Sequence, residues 1–290
     1  MWNKQAYYET RMVKKRVALL LSFLVLEICF SASADVLTVT DVPYTEKEDA
    51  YSQERLKLDI SYPSDSDSTL SPVIVWFHGG GLTGGDKFIP AQLEGQGYVV
   101  VAPNYRLIPE AGVSDCIDDA AEAVVWTIRN IKDYGGDPTL IFIAGHSAGG
   151  FLTSMVGLDK SCLARYGIDA DSIAGLIPYS GQVITHFSDR KMKGMSELTP
   201  WVDDNSPLYH VRPDAPPYII ITGDAELELY GRYEENLYMW RMMKLAGNED
   251  TRIYKLDGYD HGAMADPAHH ILLKEIERIL KSYQSGSDER

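Results

Sequence analysis

The sequence predicts an α/β fold: a mostly parallel sheet with helices on both faces. Short, near-continuous runs of β-branched and aromatic residues alternate with stretches whose apolar positions repeat at helical spacing. Most of those runs lack the in–out alternation of a strand with one wet face, as expected of strands covered on both sides. Size and composition agree. A chain of 290 residues, 45% hydrophobic and 24% charged, suits one large domain with a sizeable core and excludes collagen-like, low-complexity and wholly disordered classes.

In chain order, residues 1–34 stand apart from this pattern. Arg11, Lys14, Lys15 and Arg16 precede a run from Val17 to Phe30 that is apolar except at Ser22 and Glu27, and Ala32-Ser33-Ala34 follows. A basic stretch, an apolar stretch and a small-residue A-x-A site form a secretory signal, so cleavage after Ala34 and export to the periplasm or outside are expected. The run is shorter than the roughly 20 residues of a bilayer span, so no stable membrane insertion is expected after cleavage. Met12 before Val-Lys-Lys-Arg is the more usual start for such a signal, which marks residues 1–11 as a start-site artefact.

Residues 35–290 form the expected folded domain. Runs 36–42 and 56–62 alternate and suggest an antiparallel edge; 73–77, 98–102, 140–144, 173–178, 218–222 and 251–256 read as buried strands. Ser114 reads as an N-cap before Ile117, Ala121, Val124, Ile128 and Ile131 at helical spacing. Stretches 234–245 and 267–283 carry similar stripes, the latter with Asp266 as cap and Pro267 at the first helical position. The segment 64–71 reads as a solvated turn. Segment 182–214, polar, Met-dotted and weakly periodic, reads as a small insertion over the sheet's edge, a candidate lid. Helical spacing places Tyr230, Tyr233, Tyr238 and Trp240 in the core in preference to a sugar-binding platform.

Forty-two acidic residues against 27 basic ones give a formal charge of -15, which disfavours nucleic-acid binding. Beyond residue 34 the cysteines are Cys116, near a helix start, and Cys162, beyond the end of the next helix. Those ends should lie farther apart than the ~7 Å Cα limit of a disulfide, so free thiols are expected. No H-E-x-x-H or cysteine-pair pattern suggests a metal, and His269 and His270, adjacent inside the last helix, read as surface residues.

The chemistry concentrates at two turns. Run 140–144 enters Gly145-His146-Ser147-Ala148-Gly149-Gly150 and then an apolar helical stretch: G-x-S-x-G in a strand–turn–helix context. The glycines permit a sharp turn that projects the Ser147 hydroxyl, with a helix N-terminus behind it; the bland alternative is an ordinary Gly-rich turn. Run 73–77 ends in His78-Gly79-Gly80-Gly81. Peptide N–H groups of Gly80 and Gly81, with that of Ala148, can converge on a developing oxyanion. His78 reads as a loop organiser, not as a base.

With these motifs the sequence resembles the α/β-hydrolase superfamily, and within it the hormone-sensitive-lipase-like and bacterial acetylxylan/feruloyl-type (BD-FAE-like) esterases. HGGG at 78–81, Asn104-Tyr105-Arg106, Tyr134-Gly135-Gly136-Asp137-Pro138, GHSAGG at 145–150 and Asp260-His261-Gly262 carry the resemblance. It implies an eight-stranded sheet, a serine nucleophile and no cofactor. It also implies the chain order serine, acid, histidine. His261, in a loop directly after run 251–256, is the expected general base. Related esterases often place the acid two residues after the position of Asp224. Here that is Glu226, in Gly223-Asp224-Ala225-Glu226-Leu227-Glu228, so Glu226 is the favoured acid and Asp224 the alternative.

The expected reaction is two-step acyl transfer from an ester through an acyl-enzyme. The resemblance points to short acyl, acetyl or feruloyl esters of carbohydrate. A serine peptidase of the same fold and a non-catalytic binding protein are the alternatives.

Overall fold

The computed structural model describes residues 35–64 and 69–287. The expected signal segment, the artefact assigned to residues 1–11 and residues 65–68 of the 64–71 turn lie outside the described residues. The eight strands are β1 (Val36–Pro43), β2 (Lys57–Pro63), β3 (Ser71–Phe77), β4 (Val99–Pro103), β5 (Gly136–His146), β6 (Gly175–Tyr179), β7 (Tyr218–Thr222) and β8 (Thr251–Lys255). They form one sheet in the order β1-β2-β4-β3-β5-β6-β7-β8. β1 runs antiparallel to β2, and β2 to β4, while the six strands from β4 to β8 are mutually parallel.

The side-chain period of two divides each buried strand between two cores. In β3, Val73, Val75 and Phe77 face one side, packing with Ile117, Val124, Phe151 and Leu152 from the helices Val113–Asn130 and Ala148–Leu158. Ile74 and Trp76 face the other, against Ala268, Leu272 and Ile276 of the helix Ala265–Ser287. Burying each such side chain contributes on the order of 2 kcal/mol, so a register slip of one residue would be costly in both cores.

Several local expectations are corrected. Gly112, not Ser114, caps the helix at Val113, because the Asp115 carboxylate reaches back to the Gly112 N–H at 2.8 Å. The last helix begins at Ala265, so Pro267 falls at its third position, where its missing N–H still interrupts no intrahelical bond. His269 is buried between Trp76 and Tyr179, at ring distances of 5.0 and 5.5 Å, not on the surface. Of the aromatic group Trp240 packs, partly buried, against the core, but Tyr230 and Tyr238 are 80% and 54% exposed, and the helix Arg232–Ala246 buries Arg232, Asn236, Met239 and Met243. Cys116 and Cys162 are buried and free, with burial pushing both thiols up to about 12.

The insertion leaves the sheet between β6 and β7, two interior strands. It contains the short helix Phe187–Met192 and the 3-10 turn Pro207–His210. Ser188 Oγ donates to the Gly81 carbonyl at 2.6 Å, seating the segment on the loop after β3. Among the described residues no helix is long and apolar enough to cross a membrane, and no group of three or more His, Cys, Asp or Glu side chains could hold a metal ion.

Candidate active site

β5 delivers Ser147 into a strained elbow, φ 56° and ψ -113°, at the N-terminus of the helix Ala148–Leu158. This left-handed backbone region is disfavoured for a side chain, and the surroundings impose it. The Ser147 N–H donates to Tyr179 O at 2.8 Å. Gly149 lets the helix approach the sheet, since a Cβ there would lie 2.0 Å from Phe77 O. Ala148 holds the first helical position, where its N–H has no intrahelical acceptor.

The loop after β3 lies against this elbow: a Cβ on Gly79 would lie 3.4 Å from Ser147 Cβ. Gly80 has φ 115° and no space for a side chain, with Gly84 O 2.0 Å from its notional Cβ. His78 is buried, stacked on Tyr105 at 4.4 Å, and hydrogen-bonds Gly79 O at 2.6 Å. Burial lowers its pKa to about 4, so its ring is neutral and organises the loop. The Asn104-Tyr105-Arg106 turn braces the same loop. Tyr105 OH donates to His78 O at 2.9 Å, and Asn104 Nδ2 to Asp86 Oδ1 at 2.6 Å. Arg106 anchors the turn through a bidentate pair with buried Asp119, at 2.8 and 2.9 Å.

His261 brings the histidine to the serine. Its Nε2 lies 2.8 Å from Ser147 Oγ, and its Nδ1 lies 2.7 Å from Glu228 Oε2. The carboxylate acceptor fixes the proton of a neutral ring on Nδ1, leaving Nε2 to accept from the hydroxyl.

The acid expected from the sequence is therefore displaced by two residues: neither Glu226 nor Asp224 meets the imidazole. Glu226 is exposed. Asp224 is spent on its own loop, accepting from Glu226 N–H at 3.0 Å and Gly258 N–H at 2.8 Å. Its carbonyl accepts from Leu227 and Glu228 N–H groups, at 3.1 and 2.9 Å, and this turn carries Glu228 back beneath His261. Glu228 has a fully buried side chain and also accepts from Ser180 Oγ and, at 3.0 Å, from Gly223 N–H. Burial works to raise its pKa, but the hydrogen bonds from His261 and Ser180 prevail and hold it at about 2.

Two further side chains escape motif reading. His146, the variable residue of G-x-S-x-G, donates from Nε2 to His261 O at 2.7 Å and fixes the histidine loop from below. Burial, with a smaller effect of His261, lowers its pKa to about 4 and keeps it a neutral donor. Ser180 marks its importance only by φ 44°, which the sequence does not announce.

This geometry has counterparts in known proteins. A family model described as BD-FAE matches residues 58–173. A probable carboxylic ester hydrolase of Mycobacterium tuberculosis, LipM, is 30% identical over 190 residues, covering 57% of this chain and 44% of its own length. A truncated carbohydrate esterase from gut microbiota superposes with a TM-score of 0.70 at 19% identity, covering 86% of this chain and 98% of that one. The chain has the α/β-hydrolase fold. Its likeness extends to Thermogutta terrifontis esterase 2 phosphonylated by sarin, 26% identical with a TM-score of 0.64, covering 78% of this chain and 85% of that chain. The chain spans less than half the length of LipM in this match.

Proposed function

We propose that this protein is a serine carboxylic-ester hydrolase that works through an acyl-enzyme. One observation carries the reading: the unbroken hydrogen-bonded series Ser147 Oγ, His261, Glu228, at 2.8 and 2.7 Å. Ser147 attacks the ester carbonyl as His261 Nε2 takes its proton. Glu228 holds the ring in the required tautomer and stabilises the imidazolium. Amides of Gly80, Gly81 and Ala148 receive the oxyanion, each such donor being worth about 3 kcal/mol in the transition state. His261 then protonates the departing alcohol, and water repeats the sequence on the acyl-enzyme.

Short acyl, acetyl or feruloyl esters of carbohydrate are the proposed substrates. The BD-FAE match and the likeness to a carbohydrate esterase support this, as does the small size of the insertion beside the serine. Export is proposed on the residue pattern of 11–34. The test is hydrolysis of p-nitrophenyl acetate, butyrate and octanoate beside methyl ferulate, by wild type and Ser147→Ala. Loss of turnover in the variant supports the reading; retention of most of it refutes the mechanism. Cleavage of dipeptide anilides in place of esters would favour a peptidase.

A further inference from the structure

Beside the oxyanion loop lies a second cationic feature that the triad does not use. A cavity of about 170 Å³ is lined by Phe187, Arg190 and Arg232, with Gln182 and Glu197 also on its wall. It adjoins the reacting centre at two points. Phe187 Cζ lies 3.0 Å from where a Gly81 Cβ would sit. Arg232 Nη1 donates to Ser180 O, and the Ser180 hydroxyl holds Glu228.

Both arginines are buried, at 2% exposure each, yet neither forms an ion pair with a carboxylate among the described residues. Arg190 Nη1 donates to Thr199 O and Arg232 Nη1 to Ser180 O, both uncharged acceptors. The Nε of each is buried with no partner among the described residues. Carboxylates stand nearby without bonding either guanidinium: Glu235 acts on both arginines, Glu228 on Arg232 and Glu197 on Arg190. Glu228 serves His261, Glu235 accepts Val183 N–H at 3.2 Å, and Glu197 is exposed. Burial lowers the pKa of both arginines from the ordinary value against the raising effect of Glu235 on each, and Arg190's charge adds a smaller lowering effect on Arg232. A buried guanidinium with an unpartnered N–H is costly, and two cations side by side repel. The unpartnered Nε groups, on two arginines that line an open cavity, leave room for a further acceptor, which an anion would supply.

We propose that Arg190 and Arg232 form a carboxylate-binding subsite, so that the preferred ester carries a second, ionised carboxyl group in its acyl or its alcohol part. The planar forks of two guanidiniums suit a carboxylate and supply charge-assisted hydrogen bonds in a desolvated pocket. The inference rests on the ester-hydrolase reading above and names the substrate class of that site.

The test uses matched esters. In the acyl arm, monomethyl adipate is compared with dimethyl adipate; in the alcohol arm, 4-acetoxybenzoate with its methyl ester. Wild type should favour the ionised member of one pair by about tenfold or more in kcat/KM, as expected for a charge-assisted contact. Arg190→Met should bring that ratio close to one, whatever the absolute rates. Equal rates on both members of both pairs, or a preference for the neutral ones, overturn the subsite while leaving the hydrolase reading intact. If none of the four is hydrolysed, binding decides. Calorimetric titration of Ser147→Ala with monomethyl glutarate should show saturable binding that dimethyl glutarate lacks and that Arg190→Met in the same background loses. The same response to both compounds overturns the proposal.

Discussion

The Asp224 carbonyl accepts the Glu228 N–H at 2.9 Å, and through this one-turn link the two carboxylates take opposite duties. Asp224 ties the loop to Gly258 on the histidine side, and Glu228 is turned inward to His261. Glu228→Gln should therefore lower kcat by about 10³–10⁴, the scale for losing the group that sets a histidine's tautomer. Glu226→Gln should stay within about twofold of wild type, as an exposed change remote from the imidazole. Steady-state kinetics on one p-nitrophenyl ester compares them; a severe defect confined to Glu226→Gln or Asp224→Asn would contradict the geometry.

Acid stability tests the same carboxylate. Glu228 titrates at about 2 in the folded protein against an ordinary 4.5, so the native state favours its ionised form. Its stabilisation is complete above pH 4.5 and is lost as pH falls towards 2. Denaturant melts at a series of pH values should show wild type losing on the order of 2 kcal/mol more than Glu228→Gln across that window. Parallel curves for the two proteins would count against it.

The brace beneath the oxyanion loop is the Arg106–Asp119 pair, whose acid has a fully buried side chain. Asp119→Asn leaves a guanidinium without its bidentate partner and should cost about 3 kcal/mol in urea unfolding. An unmoved midpoint would show that the turn is held by other contacts.

Gly149 tests the packing of the nucleophile helix. With Phe77 O only 2.0 Å from a notional Cβ, Gly149→Ala must push the helix from the sheet. The expected loss is about 3 kcal/mol, read as a lower Tm, and activity should fall as Ser147 shifts. A Tm equal to wild type would contradict the close approach.

The sheet was legible because buried parallel strands write themselves as apolar runs, and the Ser147 elbow because its glycines are steric requirements. His261 was legible because it sits directly after β8 within a recognisable loop. The acid was not. The segment after β7 offers Asp224, Glu226 and Glu228 at two-residue spacing, and turn length, which no residue type states, decides which reaches the imidazole. Tyr230 and Tyr238 were misplaced for a related reason. Their spacing fits a helix, but the buried stripe falls on Arg232, Asn236, Met239 and Met243.

Labelling by a fluorophosphonate probe, followed by peptide mass mapping, tests the central claim most directly. The hydrogen-bonded series through His261 predicts a single adduct on Ser147, absent from Ser147→Ala and strongly slowed in His261→Ala. An unlabelled Ser147 in the folded protein, or labelling as fast without His261 as with it, would contradict an activated serine at this site.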